Sequence, residues 1–173
     1  ILSGAARAAG SETGAVTTHH ASAACPHSAS WWPRGTSSVK QRLELRGVGR
    51  PHLSCEDEAQ LTAAIDNNAY ITLGNDIELQ AGGATASAFT ISGVTGLTID
   101  GAGYTLGFAS SSNTNGRIFY ITGGAQVEMV DLTLENGYKY YTSVPMYGGA
   151  IRLYGSTLQM TSCTLSGNRA EVS

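Results

Sequence analysis

The sequence predicts an all-β parallel β-helix, in which short strands turn corners and stack on their own counterparts about 30 residues later. Three observations carry that expectation. Apolar residues alternate at period two in short runs; the same three runs recur in the same order; and the connections between runs are short at all but one corner. Alternation places one set of side chains inward and the other outward. The fixed long period then stacks each strand parallel on its equivalent in the next coil.

Residues 1–52 are rich in Ala, Ser, Gly and Thr, with few large apolar side chains beyond Trp31, Trp32, Leu43 and Leu45. Such a low-complexity segment buries too little surface to offset its ordering entropy and is expected to be disordered. His19, His20, Cys25 and His27 lie close together there, but their spacing fits no standard zinc pattern, and no metal site is expected. The β-helix domain is expected over 53–173. Ser54 with Asp57 has the form of a capping box, and Leu61, Ala64 and Ile65 share a helical face, which predicts a helix over 55–67 closing the N-terminal end of the stack. Asn67 and Asn68 suit its termination.

From Tyr70 the strands begin. One column of inward pairs reads Phe89/Ile91, Phe119/Ile121 and Ile151/Leu153. A second reads Ile71/Leu73, Leu97/Ile99, Val127/Met129 and Leu158/Met160, and a third Ile77/Leu79, Tyr104/Leu106, Leu132/Leu134 and Cys163/Leu165. That makes three to four coils of three strands each. Residues between the inward pairs, such as Thr90, Tyr120 and Arg152 or Thr98, Glu128 and Gln159, are polar or β-forming and face outward. The excess chain length falls at one corner: Leu79 to Phe89, Leu106 to Phe119 and Leu134 to Ile151. Hairpin architectures are disfavoured, because they require two-residue turns between antiparallel partners.

Composition narrows the function. Only 13% of residues are charged and the net charge is -3, so the clustered basic residues that nucleic acid requires are missing. No apolar run is long enough to span a bilayer. Three cysteines leave at least one unpaired in a monomer and set no disulfide framework. The opening Ile1 lacks a Met start or signal pattern, and the chain stops just after a third strand, which reads as a fragment truncated at the C-terminus. Further coils or end-to-end association are expected to cover open strand edges.

Gly148-Gly149-Ala150-Ile151, followed by Leu165-Ser166-Gly167-Asn168 and Ala170, resembles the GGAI and FxxN repeats of polymorphic outer membrane proteins, with Leu165 in place of Phe. Leu97 to Leu106, LTIDGAGYTL, resembles coils of the pectate-lyase-like superfamily. These resemblances imply a right-handed β-helix on a secreted or cell-surface protein, often adhesive, and imply no catalytic residue.

The residues themselves offer two candidate sites. Asp76, Asp100 and Asp131 lie at one corner, where stacked carboxylates could serve polysaccharide cleavage or bind calcium. No histidine follows His52, so a base would have to be Arg117, Lys139 or Arg152. The long corner carries Tyr138, Lys139, Tyr140, Tyr141 and Tyr147 above Asn113 and Asn115, a surface suited to sugar rings or protein partners. The competing expectation is that one or two of these tyrosines fold back to cover the stack. Gly148, Gly149, Asn136 and Asn168 are read as structural, serving corner and stack geometry. The expected function is a non-catalytic secreted or surface β-helix with an adhesive or carbohydrate-contacting loop face and no cofactor. A polysaccharide lyase, hydrolase or epimerase with degenerate or missing catalytic coils is the alternative, and a purely structural solenoid segment the third reading. The partner is expected to be a polysaccharide or a cell-surface protein.

Overall fold

The computed structural model describes residues 50–80, 82–83, 86–110, 112, 114–141 and 147–172. Of the expected disorder over 1–52, residues 1–49 lie outside those described, as do the His19, His20, Cys25 and His27 grouping and Asn113, while His52 at its end already begins the first strand. In chain order the described residues form β1 (His52–Cys55), α1 (Glu58–Ala64), β2 (Tyr70–Leu73), β3 (Ile77–Glu78), β4 (Ser87–Ser92), β5 (Leu97–Asp100), β6 (Thr105–Gly107) and β7 (Arg117–Thr122). There follow β8 (Gln126–Val130), β9 (Thr133–Glu135), β10 (Tyr138–Tyr141), β11 (Ile151–Leu153), β12 (Thr157–Thr161), β13 (Thr164–Ser166) and β14 (Arg169–Val172).

Among the described residues every strand pair is parallel, and the strands stack into walls. One wall runs β1-β2-β5-β8-β12, a second β3-β6-β9-β13 and a third β4-β7-β11, while β10 and β14 form a two-stranded fourth. This is a parallel β-solenoid of about three turns, the architecture expected from the alternation. Its interior is filled by the inward residues of each wall, including Ile71, Leu97, Ile99 and Met129, Leu106 and Leu134, and Phe89, Ile91, Phe119 and Ile121. Phe89 and Phe119 stack one coil apart, their ring centres 5.1 Å from each other.

The later registers agree with the expected columns: Leu97 pairs with Val127, Val127 with Leu158, Leu106 with Leu134, and Phe119 with both Phe89 and Ile151. The first coil differs. Ile71 pairs with Ile99 rather than Leu97, and Ile77 with Leu106 rather than Tyr104. Both shifts are of two residues, which keeps the paired strand residues on their expected faces because the side-chain period is two, but Tyr104, expected inward, lies outside the strand. Tyr104 is released to the corner, 38% exposed, while Ala102 and Gly103 turn the chain with positive φ of 51° and 88°. Asn67 fixes the shifted register, its side-chain carbonyl accepting from Thr95 N at 2.9 Å.

The N-terminal end also differs in detail. Helix α1 starts later than the expected 55 and ends before 67, and Asp57 caps it by accepting from Gln60 N at 2.8 Å. Ser54 does not cap the helix because it lies in β1, paired with Thr72. Leu61 and Ala64 face the core cluster, so the helix closes that end as expected. Cys55, fully buried, is disulfide-bonded, and Cys163 is a free thiol.

Corners are as constrained as walls. A Cβ on Gly101 would lie 2.4 Å from Asp131 O and 2.6 Å from Leu132 Cα, so only glycine admits the next coil at this spacing. The same corner one and two coils later turns through Asp131 and Ser162, with φ of 49° and 55°. On the last coil Leu153 and Leu165 are 46% and 53% exposed, with no strand stacked beyond them among the described residues.

Candidate functional site

The aspartates do not form one constellation. Asp76 Oδ1 accepts from Thr105 N at 2.7 Å, tying one coil's turn to the next strand. Asp100 is buried, accepting from Tyr70 Oη at 2.8 Å and from Ala102 N at 2.9 Å. Asp131 takes the left-handed corner conformation, and its position falls one residue beyond the pairing of Asp100 with Val130. Two of the three carboxylates are thus occupied with corner hydrogen bonds, as acids at turns commonly are. Among the described residues no group of His, Cys, Asp and Glu has the arrangement of a metal site.

The long corner is the more closely built of the two candidate sites. Strand β10 carries Tyr138, Lys139, Tyr140 and Tyr141 and pairs with β14, which holds the tyrosine run against the stack. Tyr138 is buried and donates to Glu171 Oε2 at 2.6 Å; that bond pushes its phenol above the usual tyrosine range. Lys139 is buried too, with Nζ donating to Ala86 O at 3.3 Å. These two side chains therefore cover the solenoid, while Tyr140 and Tyr141 are half-buried and Tyr147 is exposed.

Arg117 organises the corner from beneath. It is only 2% exposed, and it donates through Nε to Gly148 O at 2.9 Å, through a terminal nitrogen to Tyr147 O at 3.0 Å, and to the Tyr141 hydroxyl. The guanidinium thereby joins the two ends of the corner around itself. Gly149 lets that corner close: a Cβ there would lie 2.2 Å from Arg169 O. Gly148 is similarly enclosed, by Ile151 O at 2.0 Å from a Cβ position.

Asn115 is buried and donates to Ser110 O and Asn136 O, so it braces the corner from inside. Asn136 donates to Phe108 O at 2.8 Å; Asn168 donates to Leu134 O and accepts from Gly137 N, both at 2.8 Å. Rather than laddering with each other, the two amides bond to backbone one coil away, which satisfies groups that the bend leaves unpaired.

Three side chains outside the candidate tyrosine set complete this face. Tyr120 of β7 and Arg152 of β11 are paired in register and point outward, with Tyr154 just beyond β11 and 64% exposed. The Arg152 Cζ lies 4.1 Å from the Tyr147 ring centre, 5.0 Å from Tyr120 and 5.9 Å from Tyr154. The sequence carries the signal in the outward-facing column Thr90, Tyr120 and Arg152. Burial, then the neighbouring Arg117 and Arg152, hold the Lys139 ammonium below the usual lysine range. Arg117 is lowered by burial above all, partly offset by Tyr141, with Arg152 adding a smaller decrease.

A family model for a pectate lyase-like adhesive domain matches residues 54–171, from β1 into β14. That agrees with the pectate-lyase-like resemblance of the LTIDGAGYTL coil. Compared with curated proteins and with solved structures, the chain finds no significant match. No helix among the described residues is long and apolar enough to cross a membrane.

Proposed function

We propose that this chain, which belongs to the pectate lyase-like adhesive domain family, acts at a cell surface or outside the cell as an adhesive module that holds carbohydrate against its long corner without cleaving it. The observation that carries the reading is a preorganised aromatic corner. Tyr141 and Tyr147 meet edge-to-face with ring centres 6.3 Å apart, and the Arg117 bonds beneath them hold both segments in place. Rings fixed before binding lose little freedom on contact, and their faces suit the apolar faces of sugar rings.

The polysaccharide-cleaving alternative draws little support from the acids, since Asp76 and Asp100 are bound into corners. The solenoid-segment reading draws on the exposed Leu153 and Leu165 of the last coil, which further coils or another copy would cover.

Retention on immobilised glycans tests the proposal. Tyr147→Ala is expected to reduce retention several-fold, up to roughly tenfold, the scale of one lost aromatic contact. Tyr104→Ala, exposed at a different corner, is expected to leave retention unchanged. Equal retention by all three proteins would move the contact away from the long corner, and no retention by the unaltered chain would end the carbohydrate reading.

A further inference from the structure

Arg152 stands out among the basic residues of this face. It is half-buried, it lies among three tyrosine rings, and among the described residues it makes no side-chain hydrogen bond and no ion pair. The ion pair of Arg169 with Glu171 involves neither Arg152 nor Arg117. Contacts to rings engage the guanidinium through its delocalised charge and leave the in-plane N–H donors uncommitted. A planar fork held in place, with donors to spare, is the arrangement that reads a carboxylate or sulfate bidentately.

The surroundings add positive charge. Lys139 and Arg117 both sense Arg152, and the hydrogen-bond partners of Arg117 are carbonyls and a phenol, none of which cancels its charge. Tyr120, Tyr147 and Tyr154 supply ring faces beside the fork, so a sugar ring and its acidic substituent find adjacent complements. An extended phosphate backbone is a poor fit, because three cations at one spot on a chain of net charge -3 form no basic track.

We propose that Arg152, set among Tyr120, Tyr147 and Tyr154, is the oxyanion-reading centre of the long corner and selects glycans that carry carboxylate or sulfate groups. This rests on the carbohydrate-contacting function above and names its ligand class.

The test is retention of the full chain on polygalacturonate, alginate and a sulfated galactan, with neutral galactan and glucan alongside, at low and raised salt. Retention is expected on at least one acidic polymer, weakening as salt rises. The acidic polymer retained distinguishes carboxylate from sulfate as the group read. Arg152→Gln should cut that retention about tenfold or more, the cost of one charge-assisted pair. Arg152→Lys, which keeps the charge but loses the fork, should recover only part of it. An unchanged urea midpoint for both variants separates loss of binding from loss of fold. Retention on neutral polymers alone would leave the carbohydrate-contacting function standing and overturn this assignment. Acidic-polymer retention undiminished in Arg152→Gln would also overturn it, and retention on no polymer would overturn both.

Discussion

Replacing Phe119 with alanine is expected to destabilise the solenoid by about 4 kcal/mol, the usual scale for emptying a buried phenylalanine site. Phe119 has 0% exposure and sits in the middle strand of its wall, with Phe89 in the coil before and Ile151 in the coil after. Its ring stacks on that of Phe89, so the cavity would open between coils where neighbouring backbone is fixed by ladder hydrogen bonds and cannot collapse inward. Leu153→Ala, two positions beyond the Ile151 partner on the open last coil and 46% exposed, provides the comparison and should cost less than about 1 kcal/mol. Urea denaturation of both variants checks the pair of values. Equal small losses would mean that Phe119 is not enclosed by stacked coils.

Arg117→Met has the second large effect, expected at about 3 kcal/mol. Methionine fills much of the same space but donates no hydrogen bond, so Tyr147 O, Gly148 O and the Tyr141 hydroxyl lose a buried charged donor together. The loss should be local as well as global: amide exchange along β10 should speed up more than along β5 or β8. Arg117→Lys should fall between the two, since one ammonium cannot reach all three acceptors in the planar geometry of a guanidinium. A urea midpoint unchanged in Arg117→Met would show that water serves these acceptors equally well.

The walls were legible in the sequence because inward residues obey period two and recur at a nearly constant interval; Phe89, Phe119 and Ile151 needed nothing else to be aligned. The first coil was legible only to within two residues. A slip of that size moves no side chain to the other face, so the apolar pattern could not choose between Leu97 and Ile99 as the partner of Ile71. The choice is made outside the strands, by Asn67 holding Thr95 and by a corner that needs Ala102 and Gly103 to turn. Strands β1, β10 and β14 were missed, β14 because the sequence reads as stopping just after a third strand, and the other two for different reasons. The residues of β1 run straight into a capping sequence, and Tyr138 to Tyr141 show no apolar alternation at all.

At the long corner the tyrosines were visible as a cluster, but their division of labour was not. Tyr138 is buried because Glu171 of β14 receives its hydroxyl, and Tyr141 is fixed because Arg117 reaches it from β7. Neither partner is near in sequence, and both depend on the coil register. The same dependence hid the Arg152 cluster: Tyr120 and Arg152 become neighbours only when β7 and β11 are stacked in register.

The most direct measurement is incubation of the chain with uronate-containing and neutral polysaccharides, with and without calcium, following both retained polymer and released product. A holding module should retain polymer, retain it several-fold less when Tyr147 is replaced by alanine, and release no shortened or unsaturated product under either condition. Release of product that grows with time and with protein concentration would contradict the account and return the corner aspartates to the centre of the chemistry.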